Sequence, residues 1–283
     1  MLETRSMAAP STNTPVRAEN YRFLQRHIHT EIGIVLEDDK HYLIETRLAP
    51  VLHRFGLATI DDLCAQLKSS PPVELARQVL EAMTTNETYF FRDPAQYEAI
   101  RSDLLPGLIK EHQHSKKLRF WSAAASTGQE AYSLAMLLIQ AGLGDWDIQI
   151  LGTDFSSQIL ERARAGRYLQ IEVNRGLPAA LLVKHFRRSG SDWQLGDEIL
   201  RMVTFHTIDL RKPVAHLGPF DAVFCRNVMI YFDSETKNTI LRELHGTLFR
   251  GGWLLLGGAE SAFGLEAVFH RQSVGKATVY IAR

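Results

Sequence analysis

The chain has 283 residues, and its 32 basic and 32 acidic side chains cancel to a formal net charge of zero. Nucleic-acid binders carry a basic excess, so balanced charge argues against a phosphate backbone as the main partner. Hydrophobic residues make up 45%, there are only two cysteines, and no run of about 18 apolar residues occurs, which excludes a disulfide framework and a transmembrane helix.

Residues 1–17 hold Glu3, Arg5 and Arg17 with Pro10 and Pro15 and lack the apolar core of a signal peptide. They are expected to be a disordered tail on a cytoplasmic protein. Tyr21, Phe23, Leu24 and Ile28 then recur at helical spacing, and Gly33 stops the pattern. A second helix over 37–55 places Ile44, Leu48, Val51 and Phe55 on one face; Pro50 is expected to kink or restart it and Gly56 to end it. Asp61 and Asp62 open a third helix through Leu63 and Leu67, and Leu75, Val79, Leu80 and Met83 mark a fourth. With no strand pattern in this part, residues 18–84 are predicted to form a small all-α domain, followed by a linker over 85–96.

Beyond Pro94 a helix over 97–109 leads to a charged stretch in which His112 and His114 are expected to be solvated. Short apolar runs then alternate with helices. Strands are predicted at 118–121, 148–152, 203–206, 220–225 and 253–256, and helices at 129–140 and 157–165. A further helix is expected to open at Ser234 and close at Gly251-Gly252. Such alternation implies a parallel sheet, so residues 97–283 are predicted to be an α/β, Rossmann-like domain. Turn signals around 192–195 predict a small β-subdomain inserted at about 167–201, and the segments 267–272 and 277–281 predict a terminal hairpin.

In open α/β sheets, ligands bind beyond the carboxyl ends of the strands. Four segments fall there. Ser122-Ala123-Ala124-Ala125-Ser126-Thr127-Gly128 is a small-residue loop entering a helix whose first turn carries Glu130, a carboxylate suited to a cationic amino group. The loop is not a GxGxxG, so a dinucleotide fingerprint is not met. Asp154 ends the second strand, where a carboxylate can accept both hydroxyls of a ribose, a need shared by NAD and S-adenosylmethionine (SAM) folds. Asp209-Leu210 stand to meet an adenine edge and face, and Arg226-Asn227 follow the fourth strand. Singly, each has a plainer reading as a helix cap, a dipole partner or packing; their shared position at strand ends is the signal.

Three segments resemble the chemotaxis receptor methyltransferase (CheR) family, whose members make glutamate methyl esters on chemoreceptors. They are Thr85-Asn86-Glu87-Thr88-Tyr89-Phe90-Phe91-Arg92, Trp121 through Glu130, and Phe220 through Asp233 with its Cys225-Arg226-Asn227-Val228-Met229-Ile230-Tyr231 core. The resemblance runs from about residue 20 over nearly the whole chain. It implies SAM as cofactor, bordered by Asn86, Thr88 and Arg92. Glu130 and Asp154 would hold its amino group and ribose, and Asp209, Leu210, Arg226 and Asn227 would line its adenine and methionine ends. Arg92 and Tyr231 would flank the methyl-transfer centre. The implied partner is the cytoplasmic domain of chemoreceptors, and in some members the β-subdomain tethers a receptor C-terminal peptide. A monomer without metal, nucleic acid or membrane insertion is expected. The sequence departs from the family pattern at Gln129, at Asp209 and in Gly258-Ala259-Glu260-Ser261, which matches a His-Ser-Glu pattern only loosely.

Methyl transfer from a sulfonium to a carboxylate needs little acid–base help, because a glutamate with a pKa of about 4.3 is already ionised at neutral pH. Alignment and dehydration of the carboxylate are the main tasks. Arg92 fits a positioning role through bidentate pairing, with a salt bridge between domains as its plainer reading. Tyr231 can direct a hydroxyl or ring face at the centre, or be a core aromatic. Lys40, Arg47 and Arg54 recur every seven residues and would form a basic stripe for an acidic receptor helix, or a solvated rim. Methylation of another carboxylate, or a non-catalytic SAM-binding signalling module, are the competing readings.

Overall fold

A computed structural model describes residues 16–283, so the expected tail lies outside the described residues except for Val16 and Arg17. The chain divides into two compact units, one ending at Thr85 and the other running from Asn86 to Arg283.

The first unit is four helices: α1 (Ala18–Ile32), α2 (His41–Phe55), α3 (Ile60–Lys68) and α4 (Val73–Met83). Apolar residues three and four apart turn inward. Leu24, Ile28, Ile44, Leu48, Leu63, Leu75 and Val79 have no exposed surface, and each contributes about 1.5–3 kcal/mol by burial. Gly33 and Gly56 close α1 and α2 in the left-handed conformation that glycine adopts without penalty. Two details differ from the sequence expectation. The second helix starts at His41 rather than 37 and runs through Pro50 without a break. The third is capped by Thr59, whose hydroxyl accepts from Asp62 N while the Asp62 carboxylate accepts from Thr59 N. Asp62 thus completes a capping box from inside the helix and does not open it.

The second unit begins with an unbroken helical stretch: α5 (Pro94–Ala99), a π-helical turn over Ile100–Leu104, and α6 (Leu105–Glu111). Its sheet is built from β1 (Lys117–Ala123), followed by α7 (Gln129–Gln140); β2 (Asp147–Asp154), followed by α8 (Ser157–Ala165); and an inserted subdomain. The insertion comprises β3 (Arg167–Leu169), α9 (Gln170–Asn174), α10 (Ala179–His185), β4 (Phe186–Ser189), β5 (Asp192–Leu195) and α11 (Asp197–Leu200), with its own antiparallel sheet ordered β3-β5-β4. The main sheet resumes with β6 (Val203–Thr207), β7 (Phe220–Cys225), α12 (Ser234–His245), β8 (Leu248–Leu256), β9 (Phe269–Val274) and β10 (Ala277–Ala282).

The seven strands lie in the order β6-β2-β1-β7-β8-β10-β9. The first five pair in parallel, and β10 runs antiparallel to β8 and β9. The chain therefore winds to one side of β1 and then to the other, and the switch point falls between β1 and β7. Alternate residues face opposite layers: Leu118 and Phe120 join the core under α7, whereas Trp121 and Ala123 join the core under α12.

Two local expectations are corrected. Gly251-Gly252 do not close a helix: α12 is capped by Asp233, ends at Gly246, and the glycine pair lies inside β8 beside a register irregularity. A Cβ on Gly252 would come within 2.9 Å of Phe249 O and 3.1 Å of Asp221 O, so close backbone approach is what the glycine serves. His114 is exposed as expected, but His112 is only partly exposed and has a partner. Its Nε2 lies 3.0 Å from Asp221 Oδ1, and Arg119 N donates to Asp221 Oδ2 at 2.7 Å. Burial pushes the Asp221 carboxyl above its ordinary range against the opposing effect of these contacts.

Candidate functional site

Because five strands are parallel, their carboxyl ends open on one edge, and four loops meet there. The backbone at this edge is unusual. Ala124, Ser126 and Asn227 have φ of +64°, +51° and +59°, and Phe91 and Asp93 in the segment before α5 have +50° and +61°. Non-glycine residues in this region are strained and persist only where surroundings over-determine them.

The surroundings here are hydrogen bonds. In the loop after β1, Ala125 N donates to Thr153 O at 2.8 Å and Ser126 N to Asp154 Oδ2 at 2.9 Å. Ser156 N donates to Asp154 Oδ1 at 3.1 Å. Asp154 thus ties the β1 and β2 loops together and acts locally as a turn former. Ser126 Oγ donates to Asn86 O at 2.8 Å, and Tyr168 OH donates to Thr127 O at 2.7 Å. Gln129, where the resemblance leads one to look for an acid, is buried and its Oε1 accepts from Thr127 Oγ1 at 2.7 Å.

Glu130 and Arg226 form the charged centre. Arg226 Nη1 donates to Glu130 Oε2 at 2.9 Å, and Ser122 Oγ donates to Glu130 Oε1 at 2.7 Å. Arg226 Nη2 donates to Arg92 O and to Asp93 Oδ2, each at 2.6 Å. Burial disfavours the Arg226 cation, but Glu130, Tyr97 and Asp93 outweigh it and hold the guanidinium protonated above its ordinary range. Arg226 is therefore a buried clamp under the site. Its contacts tie the segment bearing Arg92 to the first turn of α7 through Glu130.

The loop after β7 is held by Glu260, whose carboxylate accepts from Asn227 N at 2.7 Å, Met229 N at 2.8 Å and Gly257 N at 2.6 Å. Asn227 Oδ1 is buried with no hydrogen-bond partner in the protein. Tyr231 is half-buried in the 3₁₀ turn Met229–Tyr231. Arg92 is half-buried as well; its Nη1 donates to Glu87 O at 3.0 Å and its guanidinium lies 5.6 Å from the Tyr89 ring centre. Asn86 and Thr88 lie in the same half-buried segment.

Other expected residues are placed differently. Asp209 accepts from Arg211 N, Nε and Nη2 at 3.0, 3.0 and 2.7 Å, so its carboxylate is largely engaged. Leu210 is 8% exposed and belongs to the core layer under α12, which leaves little of it to cover a ligand face. Lys40, Arg47 and Arg54 do not form a free basic stripe. Lys40 precedes α2 and pairs with Asp39 and Glu37, and Arg47 donates to Met83 O at 2.6 Å and Thr85 Oγ1 at 2.7 Å. Only Arg54 stands well into solvent, 3.9 Å from Glu74. The sequence reading missed Asp93 and the stapling role of Glu260. Asp93-Pro94 carries a helix-start signal, but its charge partner is 133 residues away.

Comparison with known proteins supplies the family. A model described as the CheR methyltransferase all-alpha domain matches residues 19–84, and one described as the CheR methyltransferase SAM-binding domain matches residues 86–278. This chain belongs to the CheR family. It is 38% identical over 257 residues to "Chemotaxis protein methyltransferase 1" of Pseudomonas aeruginosa, covering 89% of this chain and 93% of that relative. It is 35% identical over 275 residues to "Chemotaxis protein methyltransferase" of Vibrio parahaemolyticus, covering 95% and 98%. The CheR domain is a SAM-dependent methyltransferase, and the residues at the edge fit that cofactor. The carboxylates of Glu130 and Asp154 are of the right chemistry for an ammonium and a pair of ribose hydroxyls, and Asn227 Oδ1 is a buried acceptor without a protein partner in the loop after β7. Among the described residues, no helix is long and apolar enough to cross a membrane.

Proposed function

We infer that this chain is a protein-glutamate O-methyltransferase that esterifies glutamate side chains on the cytoplasmic domain of chemoreceptors. The reading is carried by one observation: the CheR family match covers both units, residues 19–84 and 86–278. The chain works in the cytoplasm as a monomer, and its inserted subdomain, about residues 167–201, is the surface available for a receptor's C-terminal peptide.

Bound SAM supplies an electrophilic methyl group on a sulfonium. Glu130 would hold its amino group and Asp154 its ribose, with Asn86, Thr88 and Asn227 bordering it. Arg226 acts from beneath, by holding Glu130 and the Arg92 backbone. The incoming glutamate is ionised already and needs no general base, so the chain's work is to strip water from the carboxylate and orient it. Arg92 orients the carboxylate by hydrogen bonding, and Tyr231 closes the opposite side. Arg54, exposed on α2, is the remaining candidate for meeting an acidic receptor helix.

The test is transfer of labelled methyl from SAM to a chemoreceptor cytoplasmic fragment, with methanol released by mild base as the readout of an ester. A fragment with its target glutamates changed to alanine runs beside it. Base-labile label that disappears with those glutamates supports the assignment. Label that persists on the variant, or binding of SAM without any transfer, moves the chain to another substrate or to a binding role.

A further inference from the structure

The segment bearing Arg92 is irregular backbone, and such backbone keeps its shape only when neighbours satisfy and pack it. The neighbour here is the inserted subdomain. Phe90 is wholly buried and meets Tyr168 and Phe186 edge-on, with ring centres 5.0 and 5.7 Å away. Gly176 has φ +81°, and a Cβ there would fall 2.0 Å from Phe90 O, so a side chain is excluded. The insertion therefore lies flush against the segment.

Next to this glycine stands Arg175. Its Nη2 donates to Glu87 Oε1 at 2.5 Å, and its guanidinium lies 4.4 Å from the Tyr89 ring centre. Glu87 and Tyr89 are the same two residues that locate Arg92, through Glu87 O and the Tyr89 ring. One planar guanidinium thus holds both of the supports on which a second guanidinium rests. Lysine cannot do this, because it lacks a flat face for the ring and a fork for the carboxylate.

We propose that Arg175, on the inserted subdomain, is a positioning residue for Arg92, acting through Glu87 and Tyr89. This rests on the reading that Arg92 orients the glutamate at the methyl-transfer centre. The Arg175–Glu87 pair is itself exposed, 52% and 59%, and pairs of that kind add little to stability. Its value lies in geometry: a small displacement of an orienting group costs rate without unfolding anything. Glu87 is held below the ordinary carboxylate range, first by its hydrogen bond from Arg175, and so keeps its charge across the working range.

The test uses the full chain with R175A, R92A and the double variant. Turnover on a receptor fragment, affinity for S-adenosylhomocysteine by calorimetry, and Tm are measured for each. R175A is expected to lower kcat about tenfold with Tm and cofactor-product affinity unchanged, and to cause no further loss in the R92A background, because a positioning effect needs its target. Wild-type kcat in R175A overturns the proposal, as does the same loss repeated on top of R92A. Loss of Tm or of product affinity in step with kcat assigns Arg175 an ordinary structural role and also overturns it. If R92A alone turns over like wild type, the failure lies in the reading of Arg92, and the role of Arg175 falls with it.

Discussion

Arg226 and Glu130 meet at 2.9 Å with side chains only 2% and 13% exposed, and this pair joins the end of β7 to the first turn of α7. Two other acceptors, Arg92 O and Asp93 Oδ2, take the remaining Arg226 amino group. A single buried cation therefore sets the positions of the Glu130 carboxylate and of the segment bearing Arg92.

Removing that cation strands the carboxylates. R226A is expected to cost about 3 kcal/mol, the lower end for breaking a buried pair, because Asp93 is 40% exposed and can turn to water. Urea denaturation measures the loss, and calorimetry with S-adenosylhomocysteine is expected to show weakened binding. Unchanged stability would mean that the clamp is not held in solution.

Glu260 is the second staple. E260Q keeps one carbonyl oxygen for three N–H donors and sets an amide NH₂ against the rest, so the loop carrying Asn227 and Tyr231 loosens. A fall of about tenfold in kcat/KM for SAM is expected, equivalent to about 1.4 kcal/mol. Steady-state kinetics check it, and wild-type values would show that the loop holds its shape without Glu260.

How far these contacts could be foreseen depended on their range in the chain. The helix α7 was legible as an apolar run that follows the small-residue loop ending at Gly128. The strand β7 was legible because the apolar run Ala222-Val223-Phe224-Cys225 ends at Arg226. Gly251-Gly252 misled because glycine marks a helix end or a close backbone approach equally well, and only the sheet register decides between them. Glu130 and Asp154 stood out by their place after strands. Asp93 and Glu260 did not, since their partners lie 133 and 33 residues away and are set by the fold. The basic repeat at Lys40, Arg47 and Arg54 obeyed helical spacing, but spacing is blind to the backbone acceptors that capture Arg47.

That capture changes what a charge reversal reports. R47E is expected to destabilise the first unit by about 1–2 kcal/mol through loss of hydrogen bonds from a charged donor. R54E touches only a distant Glu74 and is expected to leave Tm unchanged while raising KM for the receptor fragment. Thermal melts and receptor titrations separate the two, and an unaltered KM in R54E removes α2 from the docking surface.

The cysteines give a pH signature. Burial pushes the Cys64 thiol from its ordinary 9.0 up to about 12, and burial raises Cys225 well above its ordinary value too. A raised folded pKa gives stability that is complete below 9.0 and is lost as pH climbs toward about 12, because the unfolded chain sheds the proton first. Alkaline denaturation is expected to flatten in C64A over that window. Both thiols are expected to resist a disulfide reagent at neutral pH until the chain unfolds; prompt reaction of either would show an opening absent from the folded structure.

The most direct measurement is peptide mapping by mass spectrometry of a chemoreceptor cytoplasmic fragment after incubation with SAM and this chain, with R92A as the parallel enzyme. Methyl groups on glutamate side chains, lost after mild base and strongly reduced with R92A, are the expected result. Base-stable methylation of another residue type, or glutamate modification undiminished in R92A, would contradict a carboxylate-directed site organised around Arg92.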